Sequence, residues 1–177
     1  MQIPDIKSFL HTAPHLFREV QYPAKKVLLE EGQVSANMFL VKSGALREYF
    51  YKDGKELTLE FITENQAVAS FDSFVNGTPS DFLIETLEPS VVYELHYKAF
   101  RQLLENPGFQ QTFNTLFYKR FSEISKRLMS FIKDSPQERY KQLLKKRPEL
   151  LLRFPQHYIA SYLGITSVSL SRIRNRR

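Results

Sequence analysis

The sequence contains no cysteine among its 177 residues. This absence excludes disulfides, thiolate zinc sites and cysteine-ligated iron–sulfur clusters, and it is compatible with a cytoplasmic protein. The four histidines, His11, His15, His96 and His157, are scattered along the chain. Only His11 and His15 have a metal-ligand spacing, His-x3-His, and with no cysteine in the chain and no further histidine near them no metal site is expected. We predict a protein that carries neither a metal nor another cofactor.

Long apolar runs are missing as well. No segment reaches the roughly 20 apolar residues that a transmembrane helix needs. Residues 1–5 lack the charged and apolar regions of a signal peptide. The hydrophobic fraction of 42% and the 15 phenylalanines still supply enough apolar surface for a core. The composition therefore predicts a folded, soluble protein without a membrane partner.

Negative charge is scarce in the C-terminal third. Residues 117–177 carry 15 Lys and Arg against 4 Asp and Glu, a net charge of +11. Residues 1–116 carry 10 against 15, a net charge of −5. A basic module attached to an acidic body is typical of proteins that bind nucleic acid through one domain. A membrane-surface role is the competing interpretation, but the basic residues are not confined to one amphipathic helix.

Short β-rich runs dominate residues 22–97, and turn signals separate them at near-even spacing. Asp53-Gly54 between two alternating runs is the strongest hairpin signal. So many short strands predict a small β-barrel or a jelly-roll-like sandwich. Residues 67–75 interrupt the strands and are expected to form one helical turn. Residues 1 to about 20 are predicted to be helical, because their apolar residues follow a partial 3–4 repeat.

Helical signals take over after Tyr97. Residues 98–105 predict a short helix, and residues 109–133 contain neither Gly nor Pro. Five large apolar residues in this second run are spaced 4, 3, 4 and 3 apart, as in a heptad seam: Phe117, Phe121, Ile124, Leu128 and Phe131. The seam either packs on the barrel of its own subunit or pairs with the same helix of a second subunit. We favour a symmetric, parallel pair, because further apolar residues beside the seam can cover the barrel.

The C-terminal region begins with a capping box formed by Ser135 and Glu138. Two short helices joined by a tight turn follow in residues 156–176. Gly164 supplies the positive φ that ends the first helix, and Thr166 is the expected N-cap of the second. This spacing is typical of a helix-turn-helix, whose second helix enters the DNA major groove.

Residues on the outer face of this motif are the candidate DNA contacts. They are polar, basic or small, and they comprise Gln156, Thr166, Ser167, Val168, Ser169, Arg172, Arg174, Asn175 and Arg176. Arg and Asn side chains suit both base edges and phosphates. The alternative is an ordinary helical hairpin whose basic face is solvated.

A β-roll, a long helix and a helix-turn-helix, in this order, resemble the Crp/Fnr family of bacterial transcription regulators. Ser135-Pro-Gln-Glu-Arg-Tyr140 and Ile159-Ala-Ser-Tyr-Leu-Gly-Ile-Thr-Ser-Val-Ser-Leu-Ser-Arg-Ile-Arg174 are similar to the branch common in Bacteroidetes-type bacteria. The resemblance implies an α+β fold with three parts. These are a double-stranded β-helix or jelly-roll sensor domain of the cyclic-nucleotide-binding type (residues 1–108), a dimerisation helix (109–134) and a DNA-binding domain (135–177).

The resemblance also implies a cytoplasmic homodimer that binds double-stranded DNA, with RNA polymerase as a further candidate partner. Its two recognition helices would read half-sites about one DNA turn apart. Two features depart from the family pattern. The β-hairpin wing that usually follows the recognition helix is not evident before Arg177. The base-reading positions hold Ser167 and Val168 rather than Arg or Glu, so the operator sequence cannot be transferred.

A third departure concerns the phosphate-binding cassette, which in the family has Gly-Glu and, after a short helix, Arg-Ser. The corresponding residues are expected to be Asn65-Gln66 and Pro79-Ser80, which together with Ser70 make up the candidate effector pocket. In the family the Glu holds a ribose hydroxyl and the Arg pairs with the cyclic phosphate. Loss of both predicts that the effector is an unknown small molecule other than cyclic AMP.

Three functions are considered from the sequence. The favoured one is a DNA-binding transcription regulator with an effector-sensing β-roll and no enzymatic activity. The second is a cupin-like metal-dependent enzyme, which is disfavoured because His96 alone lies near a predicted strand. The third is a ligand-free scaffold for dimerisation and polymerase contact, which differs from the first only in lacking the effector.

Overall fold

Eight strands in two four-stranded antiparallel sheets form the N-terminal part of the chain. The computed structural model describes residue 10 and residues 13–175. The strands are β1 (Phe17–Tyr22), β2 (Val27–Leu29), β3 (Asn37–Ser43), β4 (Leu46–Lys52), β5 (Lys55–Ile62), β6 (Ala67–Val68), β7 (Leu83–Thr86) and β8 (Ser90–His96). The first sheet has the order β1-β8-β3-β6 and the second the order β2-β7-β4-β5. The predicted jelly-roll architecture is confirmed.

The two sheets enclose an apolar core. Its buried members come from both sheets, with Phe39, Val41 and Val92 from the first and Leu46 and Ile84 from the second. The predicted β4–β5 hairpin is present, and both Asp53 and Gly54 have positive φ. This backbone matches the right-handed twist of the flanking strands. The predicted helical turn is helix α1 (Phe71–Asn76), between β6 and β7.

The predicted N-terminal helix is wrong from Phe17 onward. A short 3-10 turn (Pro14–Leu16) leads directly into β1, which pairs with β8 from Phe17↔Leu95 to Tyr22↔Ser90. The partial 3–4 repeat is a weak local preference, and the ladder to β8 outweighs it by satisfying the backbone of the whole segment. Most of the remaining predicted helix lies outside the described residues.

The second half of the chain is helical. The helices are α2 (Tyr97–Leu103), α3 (Pro107–Lys133), α4 (Pro136–Lys146), α5 (Pro148–Arg153), α6 (Gln156–Tyr162) and α7 (Ser167–Asn175). Asn106 caps α3 by accepting hydrogen bonds from the N–H groups of Gly108 and Phe109 at 2.9 and 3.1 Å. The 27 residues of α3 extend about 40 Å at 1.5 Å per residue. The predicted capping box of α4 is also confirmed. Within the described residues, no helix combines the length and apolarity needed to cross a membrane.

Helices α4–α7 fold back onto the outer face of the second sheet. Ala45 and Phe61 alternate with core-facing neighbours and therefore point away from the roll interior. They are buried under the C-terminal helices, and Phe61 stacks on Phe154 with ring centroids 4.9 Å apart. The second sheet is thus covered on both faces, by the first sheet and by the helix-turn-helix region.

Candidate nucleic-acid interface

The turn between α6 and α7 has the hydrogen bonds of a Schellman motif. The N–H of Ile165 bonds to the carbonyl of Ala160 at 3.0 Å, and the N–H of Gly164 bonds to that of Ser161 at 2.9 Å. Gly164 has a φ of +67°, and a Cβ added there would lie 2.8 Å from the ring of Phe131. A side chain at position 164 would therefore strain the backbone and also collide with α3.

The start of α7 is fixed by Thr166, whose Oγ1 accepts a hydrogen bond from the N–H of Ser169 at 3.2 Å. Leu170 is fully buried against α6, where Ile159 and Ala160 are buried as well. The predicted N-cap is confirmed, and Leu170 forms the buried face of α7. The packing aims the opposite face of α7 away from the protein.

The candidate DNA contacts lie on this exposed face. Ser167, Val168, Arg172, Arg174 and Asn175 are exposed on α7. Thr166 at the N-cap of α7 and Gln156 at the start of α6 are exposed as well. Ser169 is half-buried and is hydrogen-bonded to Thr166. Arg176 lies outside the described residues.

Two properties of α7 suit a nucleic-acid surface. Among the described residues, neither Arg172 nor Arg174 has an ion-pair partner within 4 Å. Val168 is 60% exposed at the start of the helix, although it is apolar. Unpaired guanidinium groups suit phosphates and guanine edges, and a small apolar group suits the thymine methyl.

Helix α6 anchors the motif to the second sheet through a buried arginine. Arg47 of β4 is fully buried, and its guanidinium donates to Glu85 at 2.5 and 3.0 Å and to Glu56 at 2.6 Å. Tyr158 of α6 covers the guanidinium on one side at 3.8 Å, and Tyr49 stacks at 4.0 Å. The interface therefore contains charge that is paired and shielded from water.

A second set of contacts ties the same helices to β5 and the turn after it. Glu60 lies within 4 Å of Arg120 and Arg127 from α3 and of Arg147 at the end of α4. Arg153 of α5 pairs with Glu64 at 2.7 Å and also with Glu88. The Arg153 guanidinium lowers the pKa of Glu64 to about 2.

Sequence reasoning did not identify these docking residues. Arg120 and Arg127 belong to the basic C-terminal third, where the charge asymmetry was interpreted as nucleic-acid binding alone. The carboxylates that face them come from strands, and no local spacing connects the two groups. Arg47 lies next to apolar and aromatic residues of β4, but Glu48 and Lys52 belong to the same strand, so its sequence gives no clear sign that Arg47 is buried.

The predicted dimer seam runs along α3. Its central residues are exposed, with Phe121, Ile124 and Leu128 at 64%, 51% and 62%. The terminal residues contact other parts of the chain: Phe117 packs against Phe71, and Phe131 lies against Gly164. The middle of the seam is therefore an exposed apolar stripe.

The candidate effector residues lie in three segments around β6 and α1. Asn65 and Gln66 lie in the exposed turn before β6, where Gln66 Oε1 accepts a hydrogen bond from the N–H of Thr63 at 2.8 Å. Ser70 is buried at the start of α1. Pro79 bridges to residue 34, and the buried Ser80 donates its hydroxyl to the carbonyl of Phe82.

A short helix follows the two-residue strand β6. Helix α1 begins at Phe71, so the residues that lead into it are Ala69 and Ser70, four residues after Asn65-Gln66. A carboxylate is present in the first turn of α1, but Asp72 is exposed and accepts hydrogen bonds from Asn76 and Thr78.

Comparisons with known proteins agree with this architecture. The cyclic nucleotide-binding domain family matches residues 19–107. The cAMP-activated global transcriptional regulator CRP of Salmonella typhimurium is 22% identical over 110 residues, which are 61% of this chain and 52% of that protein. The chain thus spans about half the length of the curated relatives it matches.

Solved structures show the same fold over nearly the whole chain. A CooA mutant from Carboxydothermus hydrogenoformans superposes with a TM-score of 0.79 and 19% identity, covering 99% of this chain and 84% of that one. The c-di-GMP responsive global regulator CLP of Xanthomonas campestris gives a TM-score of 0.74 at 18% identity, covering 96% and 88%. With a family match that spans half of its residues and this shared fold, the chain belongs to the cyclic nucleotide-binding domain family.

Proposed function

We propose that this protein is a cytoplasmic, homodimeric DNA-binding transcription regulator of the Crp/Fnr type. The observation that carries the proposal is the helix-turn-helix, whose α7 presents Arg172 and Arg174 to solvent without ion-pair partners among the described residues. The name of the Salmonella relative, a transcriptional regulator, supports the same function. The proposed division is a sensor in residues 1–108, a dimerisation helix in 109–134 and a DNA-binding unit in 135–177.

The second subunit would pack against the exposed seam of α3. Three central side chains, each more than half exposed, form a continuous stripe with heptad spacing. Pairing two such helices would bury the stripe and place two copies of α7 in a symmetric arrangement. A two-fold protein favours a palindromic operator with half-sites separated by about one helical turn.

Cyclic AMP is not the proposed effector. At the expected cassette positions the chain has Asn65-Gln66 where the family pattern has Gly-Glu, and Pro79 where it has Arg. Ala69 and Ser70, which lead into α1, carry no carboxylate either. Pro79 provides no counter-charge for a cyclic phosphate and no backbone N–H. A charge-assisted hydrogen bond contributes about 1.5–3 kcal/mol, so losing both residues weakens binding by roughly a thousandfold. Calorimetry with cyclic AMP tests this, and a low-micromolar dissociation constant would overturn it.

DNA binding is tested by titrating the full chain against a library of genomic duplexes. We expect affinity to fall steeply with salt, because each neutralised phosphate releases counterions. Arg172→Ala should weaken binding to the selected duplex by about 1–3 kcal/mol if Arg172 reaches a base edge. Arg101→Ala, an exposed arginine on α2, is the matched control and should change little. Absence of any shifted duplex at low salt would contradict the proposal.

Dimerisation is tested at the centre of the seam. Ile124→Glu places two like charges opposite each other in a parallel pair and should yield monomers in light scattering. Tyr118→Glu adds the same charge about 100° around the helix from the seam centre and is the control. A wild-type protein that is monomeric at micromolar concentration, or equal effects of both variants, would count against the assigned seam.

A further inference from the structure

A concave, positively charged site lies where α3, α4 and β5 meet; we call it the junction cleft. Its cavity volume is about 350 Å³, within the range of small-molecule sites. Six cationic side chains line it: Arg120, Lys126 and Arg127 from α3, and Arg139, Lys146 and Arg147 from the segment that follows. None of the lining residues belongs to α7, so the cleft is separate from the candidate DNA face.

Backbone carbonyls hold the guanidinium groups of the cleft in place. Arg127 donates to the carbonyls of Leu59 and Tyr162 and stacks on the Tyr162 ring at 3.9 Å. Arg139 donates to the carbonyls of Leu163 and Asp134 at 3.1 and 2.7 Å. Carbonyls fix the orientation of an arginine without cancelling its charge, which leaves the group preorganised for an anion.

The cationic charge exceeds the anionic charge inside the cleft. The acidic residues among the lining are Glu60 and Glu123, against the six cations. Glu60 is shared among three arginines, with distances of 3.3 to 3.9 Å. In the described part of the chain, Lys126 and Lys146 have no carboxylate within 4 Å. A concave site with unbalanced charge and low-dielectric walls concentrates positive potential and attracts anions.

The cleft remains accessible in the proposed dimer. Residues 120, 123, 127 and 130 line the cleft and follow a 3–4 repeat of their own, offset from the seam at 117, 121, 124 and 128. The two rows therefore occupy different faces of α3. Phe131 alone belongs to both.

We propose that the junction cleft binds a small phosphorylated ligand. Several arginine forks match the planar, bidentate geometry that phosphate oxygens accept. The ligand would contact α3, α4 and the end of β5 together, so its binding would favour the docked arrangement of the helix-turn-helix over any other arrangement. The site does not depend on DNA binding, because its residues lie outside the candidate DNA face.

The test uses the full-length chain and pyrophosphate as the probe, with sodium chloride at equal ionic strength as the reference. Calorimetry should show saturable binding of one pyrophosphate per subunit, and the melting temperature should rise with pyrophosphate and not with chloride. The variant Lys126→Gln/Lys146→Gln removes two cations without an ion-pair partner among the described residues, so it is expected to fold. It should weaken pyrophosphate binding at least tenfold.

The matched control is Lys119→Gln/Lys141→Gln, which removes the same charge from the same helices outside the cleft. It should change the affinity less than twofold. Equal weakening by both pairs would show general charge screening and overturn the site, as would non-saturable binding. A short DNA duplex that displaces pyrophosphate from the wild type would assign the cleft to the DNA backbone instead. Arg172→Ala should leave pyrophosphate binding unchanged, which separates this test from that of the proposed function.

Discussion

The two faces of the second sheet are both buried, yet they are built from different chemistry. The inner face contributes Leu46 and Ile84 to an apolar core shared with the first sheet. The outer face contributes the buried Arg47 and Glu85 beside Phe61, and it is covered by the helix-turn-helix region. Exposing an apolar face to water costs free energy, whereas charged groups that separate from their partners are hydrated by water again.

This difference distinguishes the contacts that hold the roll together from those that hold the helix-turn-helix region against it. The inner face has no alternative partner, so its packing is a condition of folding. The outer face mixes stacked rings with ion pairs that solvent can replace, which is the composition of interfaces that form and separate. Three substitutions on the two faces test this contrast, from the largest expected effect to the smallest.

The largest effect is expected for Arg47→Met on the outer face. The change leaves Glu85 buried without its guanidinium partner, and breaking a buried pair costs about 3–5 kcal/mol. Urea denaturation should show this loss in the free energy of unfolding. The double variant Arg47→Met/Glu85→Gln should recover part of it, because no buried charge is then left without this partner; Glu56 and Lys25, which also lose a partner, are partly exposed. If the losses in free energy of unfolding of Arg47→Met and Glu85→Gln add up to the loss of the double variant, Arg47 and Glu85 are not energetically coupled.

A pH-dependent effect is expected for Glu48→Gln. Burial raises the pKa of Glu48 to about 7; Arg120 and Arg127 oppose this shift, and Glu60 across the ladder adds to it. The pKa of Glu48 is higher in the folded protein than in the unfolded chain, so the protonated carboxyl contributes to the free energy of unfolding. This contribution is fully present below the unfolded pKa of about 4.5 and is lost as the pH rises to about 7.

Glu48→Gln keeps the uncharged state at every pH. We expect it to match the wild type at pH 5 and to be more stable by about 1–3 kcal/mol at pH 8, measured by urea denaturation. The range from pH 5 to 8 avoids the acid-side loss from Glu64, whose pKa lies at about 2. An equal difference at both pH values would show that Glu48 does not titrate in this interval.

The smallest effect is expected for Ile62→Val on the inner face. Removing one buried methylene costs about 0.5–1.5 kcal/mol. The loss should be the same at pH 5 and pH 8, because Ile62 faces the apolar Leu46 across the ladder. A pH-dependent loss at Ile62 would contradict the proposed separation of the two faces.

Much of the fold was accessible from local signals. The hairpin at Asp53-Gly54, the capping box at Ser135 and Glu138, and the turn at Gly164 each depend on residues within a few positions of one another. The exposed face of α7 followed from its helical periodicity. By contrast, residues 67–68 were expected to belong to a helical turn, because the two-residue strand β6 has almost no pattern.

The sequence by itself determined most of the strands and helices, the helix-turn-helix and the heptad spacing along α3, because turns, caps and periodicity act over short distances along the chain. Only the tertiary structure decided that residues 17–22 form a strand, that Arg47 is buried and that six cations meet in the junction cleft. Those outcomes depend on contacts such as Lys25 with Tyr158, 133 positions apart, which no local pattern specifies. Long-range pairing selects among local preferences that are individually weak.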